Sequence, residues 1–138
     1  MITRDCAGGI VFFGEKVLLL CNDKGEWIFP KGVTRQGEKS VTVAEESLRR
    51  EAKVEAKIIA PLGRTRYEFF SRSRGAPVQN RVVWYLMRVL EDTVLPSVEQ
   101  GFLEGGFYEI SEAMKKITYS QDKALLLTAA QRYKELSH

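Results

Sequence analysis

Short apolar runs alternate with turn clusters along the chain, and one long amphipathic stretch interrupts them. Ala7 to Phe13 and Val17 to Cys21 are apolar runs joined by Gly14-Glu15-Lys16, the spacing of a β-hairpin. Asn22-Asp23-Lys24-Gly25 is a turn cluster, and Trp27-Ile28-Phe29 forms a third short strand ended by Pro30. Ser40 to Ala56 contains no Gly or Pro and sets Val43, Ala44, Ser47, Leu48, Ala52 and Ala56 near helical spacing. That predicts an amphipathic helix of about four turns. Ile58 to Ser71 and Val78 to Val89 are extended runs on either side of Arg72-Ser73-Arg74-Gly75-Ala76-Pro77, a long hairpin. Phe102 to Ile110 is a further strand, Ser111 opens a short helix, and Ser120 caps a last helix from Gln121 to Leu136. This order predicts an α/β fold, a mixed β-sheet between helices.

Composition narrows the class. A chain of 138 residues is long enough for one core, so a single domain over residues 1–138 is expected. Its 44% apolar and 28% charged content is that of an ordinary globular protein, and no apolar run reaches membrane-span length. With no signal-peptide pattern near the N-terminus, a cytoplasmic location is expected. Cys6 and Cys21 lie in apolar runs, so buried thiols are expected, with a disulfide as the alternative. The net charge of +3 does not argue for nucleic acid. Its distribution is uneven, however: Arg64, Arg66, Arg72, Arg74, Arg81 and Arg88 fall between Leu62 and Leu90, where Glu68 is the one acid. Such forks suit phosphate, and they equally suit a solvated hairpin edge.

The candidate chemistry follows by elimination. The one histidine is His138, and the cysteines form no CxxC, which disfavours imidazole catalysis and zinc. Carboxylates, lysine and arginine remain, the groups of phosphoryl chemistry. Glu51 and Glu55, four residues apart on the predicted helix, share a face, where a divalent cation would relieve their repulsion. The same helix also carries Glu45 with Arg49 and Glu46 with Arg50 at i,i+4 spacing, the pattern of a solvated surface helix.

The stretch from Pro30 to Ile58 resembles the Nudix box, G-x5-E-x7-R-E-U-x-E-E-x-G-U, where U is bulky and apolar. Gly32 and Glu38 match its opening, and Arg50-Glu51 match its R-E if four residues are inserted before them. In that register Val54 replaces a metal-binding glutamate and Lys57 replaces the helix-ending glycine. Trp27-Ile28-Phe29-Pro30-Lys31-Gly32, Ala7-Gly8-Gly9-Ile10-Val11-Phe12, Leu62-Gly63 with Tyr67, Val82 to Leu86, Gly106-Phe107-Tyr108 and Thr118-Tyr119-Ser120 resemble, in order, further segments of Nudix hydrolases of the dinucleoside and diphosphoinositol polyphosphate type.

The resemblance implies a Nudix α/β/α sandwich and a Mg²⁺- or Mn²⁺-dependent pyrophosphohydrolase of a nucleoside diphosphate-linked small molecule. It implies Glu51 and Glu55 as metal-holding and catalytic, with Glu104 or Glu99 adding a loop carboxylate. Arg50 would orient Glu51, Glu38 would support the loop, and Lys31, Gly32 and Tyr67 would contact substrate. Two other readings stand beside it: a weakened nucleotide-binding or sensor module, and a grip by the arginine hairpin on an RNA 5′ end or an inositol polyphosphate.

Overall fold

The computed structural model describes residues 1–136, and its elements depart from the expected ones at three places that bear on the site. His138 lies outside the described residues. The chain folds as β1 (Ile2–Phe13), β2 (Lys16–Asn22), β3 (Trp27–Ile28), β4 (Lys31–Val33), α1 (Ser40–Ala52), β5 (Lys57–Ser71), β6 (Ala76–Arg88), β7 (Phe102–Glu109), α2 (Ile110–Lys116) and α3 (Ser120–Leu136).

β1 organises the sheet. It runs parallel to β6 from Ile2 to Phe12, while its other edge is shared between β4, at Cys6 to Gly8, and β2, at Phe12 and Phe13. β2 carries on to β3 and β7, and β5 covers the far edge of β6. The result is a mixed, curled sheet with helices on both faces. Period-two alternation sends successive side chains of β1 and β2 to opposite faces. Cys6, Ile10, Phe12, Val17 and Leu19 pack with Leu125, Leu126 and Ala129 of α3. Ala7, Val11, Leu18 and Leu20 pack with Val43, Ala44, Leu48 and Ala52 of α1. Both cysteines are buried and free, and burial pushes both thiols up.

The first departure is β4. Beyond the Pro30 that ends the predicted third strand, the chain forms another short strand, with Lys31 opposite Gly8 and Gly32 opposite Ala7. A Cβ on Gly8 would lie 2.5 Å from the Pro30 carbonyl oxygen and 2.7 Å from the Trp84 ring, so only glycine admits this approach. Gly8→Ala is expected to cost about 2 kcal/mol in urea unfolding, and a cost below about 0.5 kcal/mol would mean that β1 and β4 separate freely.

The second departure is the end of α1. The helix stops at Ala52, not Ala56, and Lys53 takes the left-handed conformation at φ 58°, with its N–H bonded to the Arg49 carbonyl. The segment before β7 ends the helix. Leu95 N–H donates to the Ala52 carbonyl at 2.9 Å, and Ser97 N–H donates to the Glu51 carbonyl at 2.9 Å. These bonds satisfy carbonyls that a longer helix would have bonded internally. The third departure follows from the second: Lys57 opens β5 and closes no helix.

Candidate functional site

With α1 ending at Ala52, the Nudix pattern runs from Gly32 and Glu38 without any insertion. It places Glu46 at the pattern's arginine and Ser47, Arg50 and Glu51 at its three carboxylates. Leu48 and Val54 fall on its bulky apolar positions, and both are buried. Lys53 falls on its glycine, the one non-glycine residue with positive φ among those described. This register corrects the inserted one, because the apolar positions enter the core and the left-handed residue stands where glycine is favoured. Val54 is thus a core residue and not a lost ligand. A left-handed lysine costs about 1 kcal/mol. Lys53→Gly is therefore expected to stabilise the protein by about that much, read as a higher urea midpoint; a lower midpoint would refute the cap.

Glu51 sits at the buried end of α1, where one carboxylate oxygen, Oε1, has no hydrogen-bond partner. Burial pushes its carboxyl up to about 7, although the Lys31 ammonium, the Arg50 guanidinium and the Lys31 backbone N–H all favour the charged form. Lys31 answers from β4. Burial alone would lower its ammonium, but Tyr67, Glu51 and Asp122 outweigh burial and raise it. Its Nζ lies 5.4 Å from the centre of the Tyr67 ring. Glu38 braces the turn after β4: its Oε1 accepts the Arg35 N–H at 2.6 Å, and its own N–H donates to the Arg35 carbonyl.

Lys31 and Gly32 pack under α1. A Cβ on Gly32 would lie 3.0 Å from Arg50 Nη2 and 3.2 Å from Ser47 Cβ, which seats the Arg50 guanidinium over the β4 backbone. Ser47 is fully buried, and its hydroxyl donates to the Ala44 carbonyl at 2.9 Å.

Two cavities meet at Lys31. One, of about 110 Å³, is walled by Phe29, Tyr67, Trp84 and Tyr119, with Asp122 at its edge. The Tyr67 and Tyr119 rings are nearly parallel, 12° apart in plane and 6.4 Å between centroids. Tyr119 is anchored by donating its hydroxyl to Glu26, which pushes that phenol up to about 12. Burial pushes the Asp122 carboxyl up, against the nearby Lys31. The second cavity, of about 170 Å³, has Glu51, Gly32, Arg4 and the buried Asn80 in its lining. There Arg4 Nε donates to Asn80 Oδ1 at 2.9 Å.

The expected site residues divide accordingly. Lys31, Gly32, Arg50, Glu51 and Tyr67 gather at this corner. Glu55 lies beyond the helix, exposed, in a different hollow with Lys57 and Arg88, so it shares no helix face with Glu51. Glu104 is exposed on β7 opposite Cys21, and Glu99 is exposed in the segment before β7. Among the described residues no three acidic, histidine or cysteine side chains come together as a metal-sized group. The residues at the helix therefore do not fit the divalent metal that the resemblance implies. A hydroxyl already bonded to the backbone, a guanidinium and one carboxylate offer a hard cation a single anionic ligand. From the sequence, Ser47 is named only as a helix position and Tyr119 only within a family-like segment, and Asn80 and Asp122 are not named. An uninterrupted reading of the box places Ser47 at a carboxylate position, and the one local signal for Asp122 is an acid in the first turn of α3.

The arginine hairpin stands apart. Arg66 faces Arg81 across β5 and β6, and Arg81 pairs with Asp5 at 2.9 Å, the one ion pair among the described residues. Both partners are half-exposed, so the pair contributes little. No helix among the described residues is long and apolar enough to cross a membrane.

Solved structures share this architecture at low identity. An Ap4A hydrolase from C. elegans, in a binary complex, superposes with a TM-score of 0.77 at 20% identity, covering 96% of this chain and 98% of that one. The E. coli dihydroneopterin triphosphate pyrophosphohydrolase gives 0.78 at 15% identity, over 96% and 99%. A MutT protein from Bacillus halodurans gives 0.66 at 20%, over 90% and 80%. The NUDIX domain matches residues 3–129, nearly the whole chain, and the protein belongs to that family of hydrolases, which act on phosphoanhydride bonds.

Proposed function

We propose that the protein acts on a nucleoside diphosphate-linked small molecule, with dinucleoside polyphosphates the first class to test, and that it binds such compounds better than it cleaves them. The observation that carries this reading is the position of Lys31, an ammonium between an aromatic-walled cavity and one that Arg4, Glu51 and Asn80 help to line. A base stacked against Tyr67 or Tyr119 would direct its phosphates toward Lys31, Gly32 and Arg50. Gly32 gives the Arg50 guanidinium room to lie over β4.

Glu51 is the group suited to take a proton from water. Its carboxyl stands near 7, and Oε1 is free to accept. In that step the water oxygen bonds to phosphorus, its proton passes to Glu51, and the bridging P–O bond breaks. With one carboxylate in the box, Mg²⁺ or Mn²⁺ is expected to be held weakly and turnover to be slow.

Affinity and turnover, measured side by side on such compounds with Mg²⁺ and with Mn²⁺, test the reading. Expected are micromolar binding and a kcat below about 0.1 s⁻¹, against a typical enzyme's ~10 s⁻¹. Failure of every compound to bind would refute it. A second reading, a nucleotide-binding sensor without hydrolysis, is favoured by Ser47 and Arg50 at carboxylate positions. It is distinguished by binding with no product in a long incubation.

A further inference from the structure

Three positions of the box decide what charge meets the ligand. They hold Ser47, Arg50 and Glu51, so a cationic fork replaces one carboxylate and a buried, backbone-bonded hydroxyl replaces another. Arg50 Nη2 reaches to within 3.0 Å of the point where a Gly32 Cβ would stand, over the strand that carries Lys31. Arg50 is exposed, and among the described residues it is absent from the ion pairs and side-chain hydrogen bonds, so its five donors are available. Glu51 lies within Coulombic reach of both cations. Lys31 and Arg50, with Arg4 in the lining of the second cavity, stand against Glu51 and Asp122, so this corner keeps a net positive charge. Such charges repel a divalent cation and attract an anion. A guanidinium fork matches two phosphate oxygens at once, and an ammonium supplies a point charge beside it.

We propose that Arg50 takes the place of the divalent cation, so that Arg50 and Lys31 hold the ligand's pyrophosphate directly and binding needs no metal. This rests on the reading above that the ligand carries a pyrophosphate; the family resemblance implies the opposite metal requirement.

Calorimetric titration of the full chain with inorganic pyrophosphate and with ADP, each in EDTA and in excess Mg²⁺, tests it. Expected is binding in EDTA as tight as in Mg²⁺, or up to about 3-fold tighter, because Mg²⁺ neutralises part of the ligand's charge. Arg50→Gln is expected to lose about 30-fold in EDTA, the scale of a charged hydrogen-bonded pair. Arg50→Lys should fall between the two, keeping the charge and losing the fork. The double variant Ser47→Glu with Arg50→Glu should bind only when Mg²⁺ is present. Thermal melts check that each variant is folded; Arg50 is exposed, so its variants are expected to melt near the wild type. Wild-type binding at least 10-fold tighter in Mg²⁺ than in EDTA would overturn the proposal and leave the ligand class standing. Equal binding by Arg50→Gln and the wild type in EDTA would also overturn it. No binding of ADP or pyrophosphate in either medium would refute this proposal together with the functional reading beneath it.

Discussion

Replacing Glu51 with Gln is expected to raise stability at pH 8 by about 2 kcal/mol and to leave it nearly unchanged near pH 4. The folded protein holds this carboxyl up to about 7, against an ordinary value of 4.5, because it is buried. Below 4.5 the group is protonated whether the chain is folded or not, so its contribution is fully present. As pH rises toward 7 the unfolded chain releases the proton and the folded chain keeps it, so stability falls through that window. Above about 7 the loss is complete. Gln cannot ionise and escapes it. Each pH unit of difference corresponds to about 1.4 kcal/mol, and relaxation around the charge reduces the full shift to the smaller figure. Glu26 and Asp122 shift in opposite directions but are common to both proteins, so they cancel in the comparison. Urea midpoints across this range, taken in EDTA, read the effect. A Glu51→Gln protein less stable than the wild type at pH 8 would show that ionised Glu51 is stabilised by its cations beyond the cost of burial.

Lys31→Met should remove nucleotide binding, by about 100-fold, and should also cost about 3 kcal/mol of stability at pH 8. The two losses have different origins. Binding fails because the ammonium between the two cavities is gone. Stability falls because Glu51 and Asp122 lose the cation that favours their charged forms in a buried setting. The stability loss should therefore shrink below about pH 5, where the Glu51 carboxyl is protonated, while the binding loss persists. Adding Glu51→Gln to Lys31→Met separates them: the double variant should regain most of its stability at pH 8 and none of its affinity. Full affinity in Lys31→Met would place the phosphates elsewhere.

Much of this architecture could be read from the apolar pattern. The hairpin of β1 and β2, the long pair β5 and β6, and the last helix all follow alternation or helical spacing together with turn residues. The end of α1 could not be read in the same way. Ala52-Lys53-Val54-Glu55-Ala56 contains ordinary helix formers and no glycine, so nothing local stops the helix. The stop comes from Leu95 and Ser97, more than forty residues away, whose N–H groups bond the Ala52 and Glu51 carbonyls. That tertiary stop changes the chemistry inferred. A helix run on to Ala56 aligns Glu55 with Glu51 and suggests two ligands on one face, whereas a helix ended at Ala52 leaves Glu51 with Arg50 and Ser47. β4 was missed for a related reason: Lys31 to Val33 is too short and polar to read as a strand, and its pairing depends on Gly8 admitting Pro30 and Lys31. Sequence alone brought Lys31, Glu51 and Tyr67 into view as separate candidates. Their meeting at one corner depends on the packing of α1, β4 and β5.

At the three positions where its pattern calls for carboxylates, the box holds a hydroxyl, a guanidinium and one carboxylate. Titration of the ligand-free chain with Mn²⁺, followed by electron paramagnetic resonance of the free ion, tests it directly. No site tighter than about 1 mM is expected, because one carboxylate beside Arg50 and Lys31 gives a hard cation too few oxygens. A stoichiometric micromolar site that disappears in Glu51→Gln would contradict it.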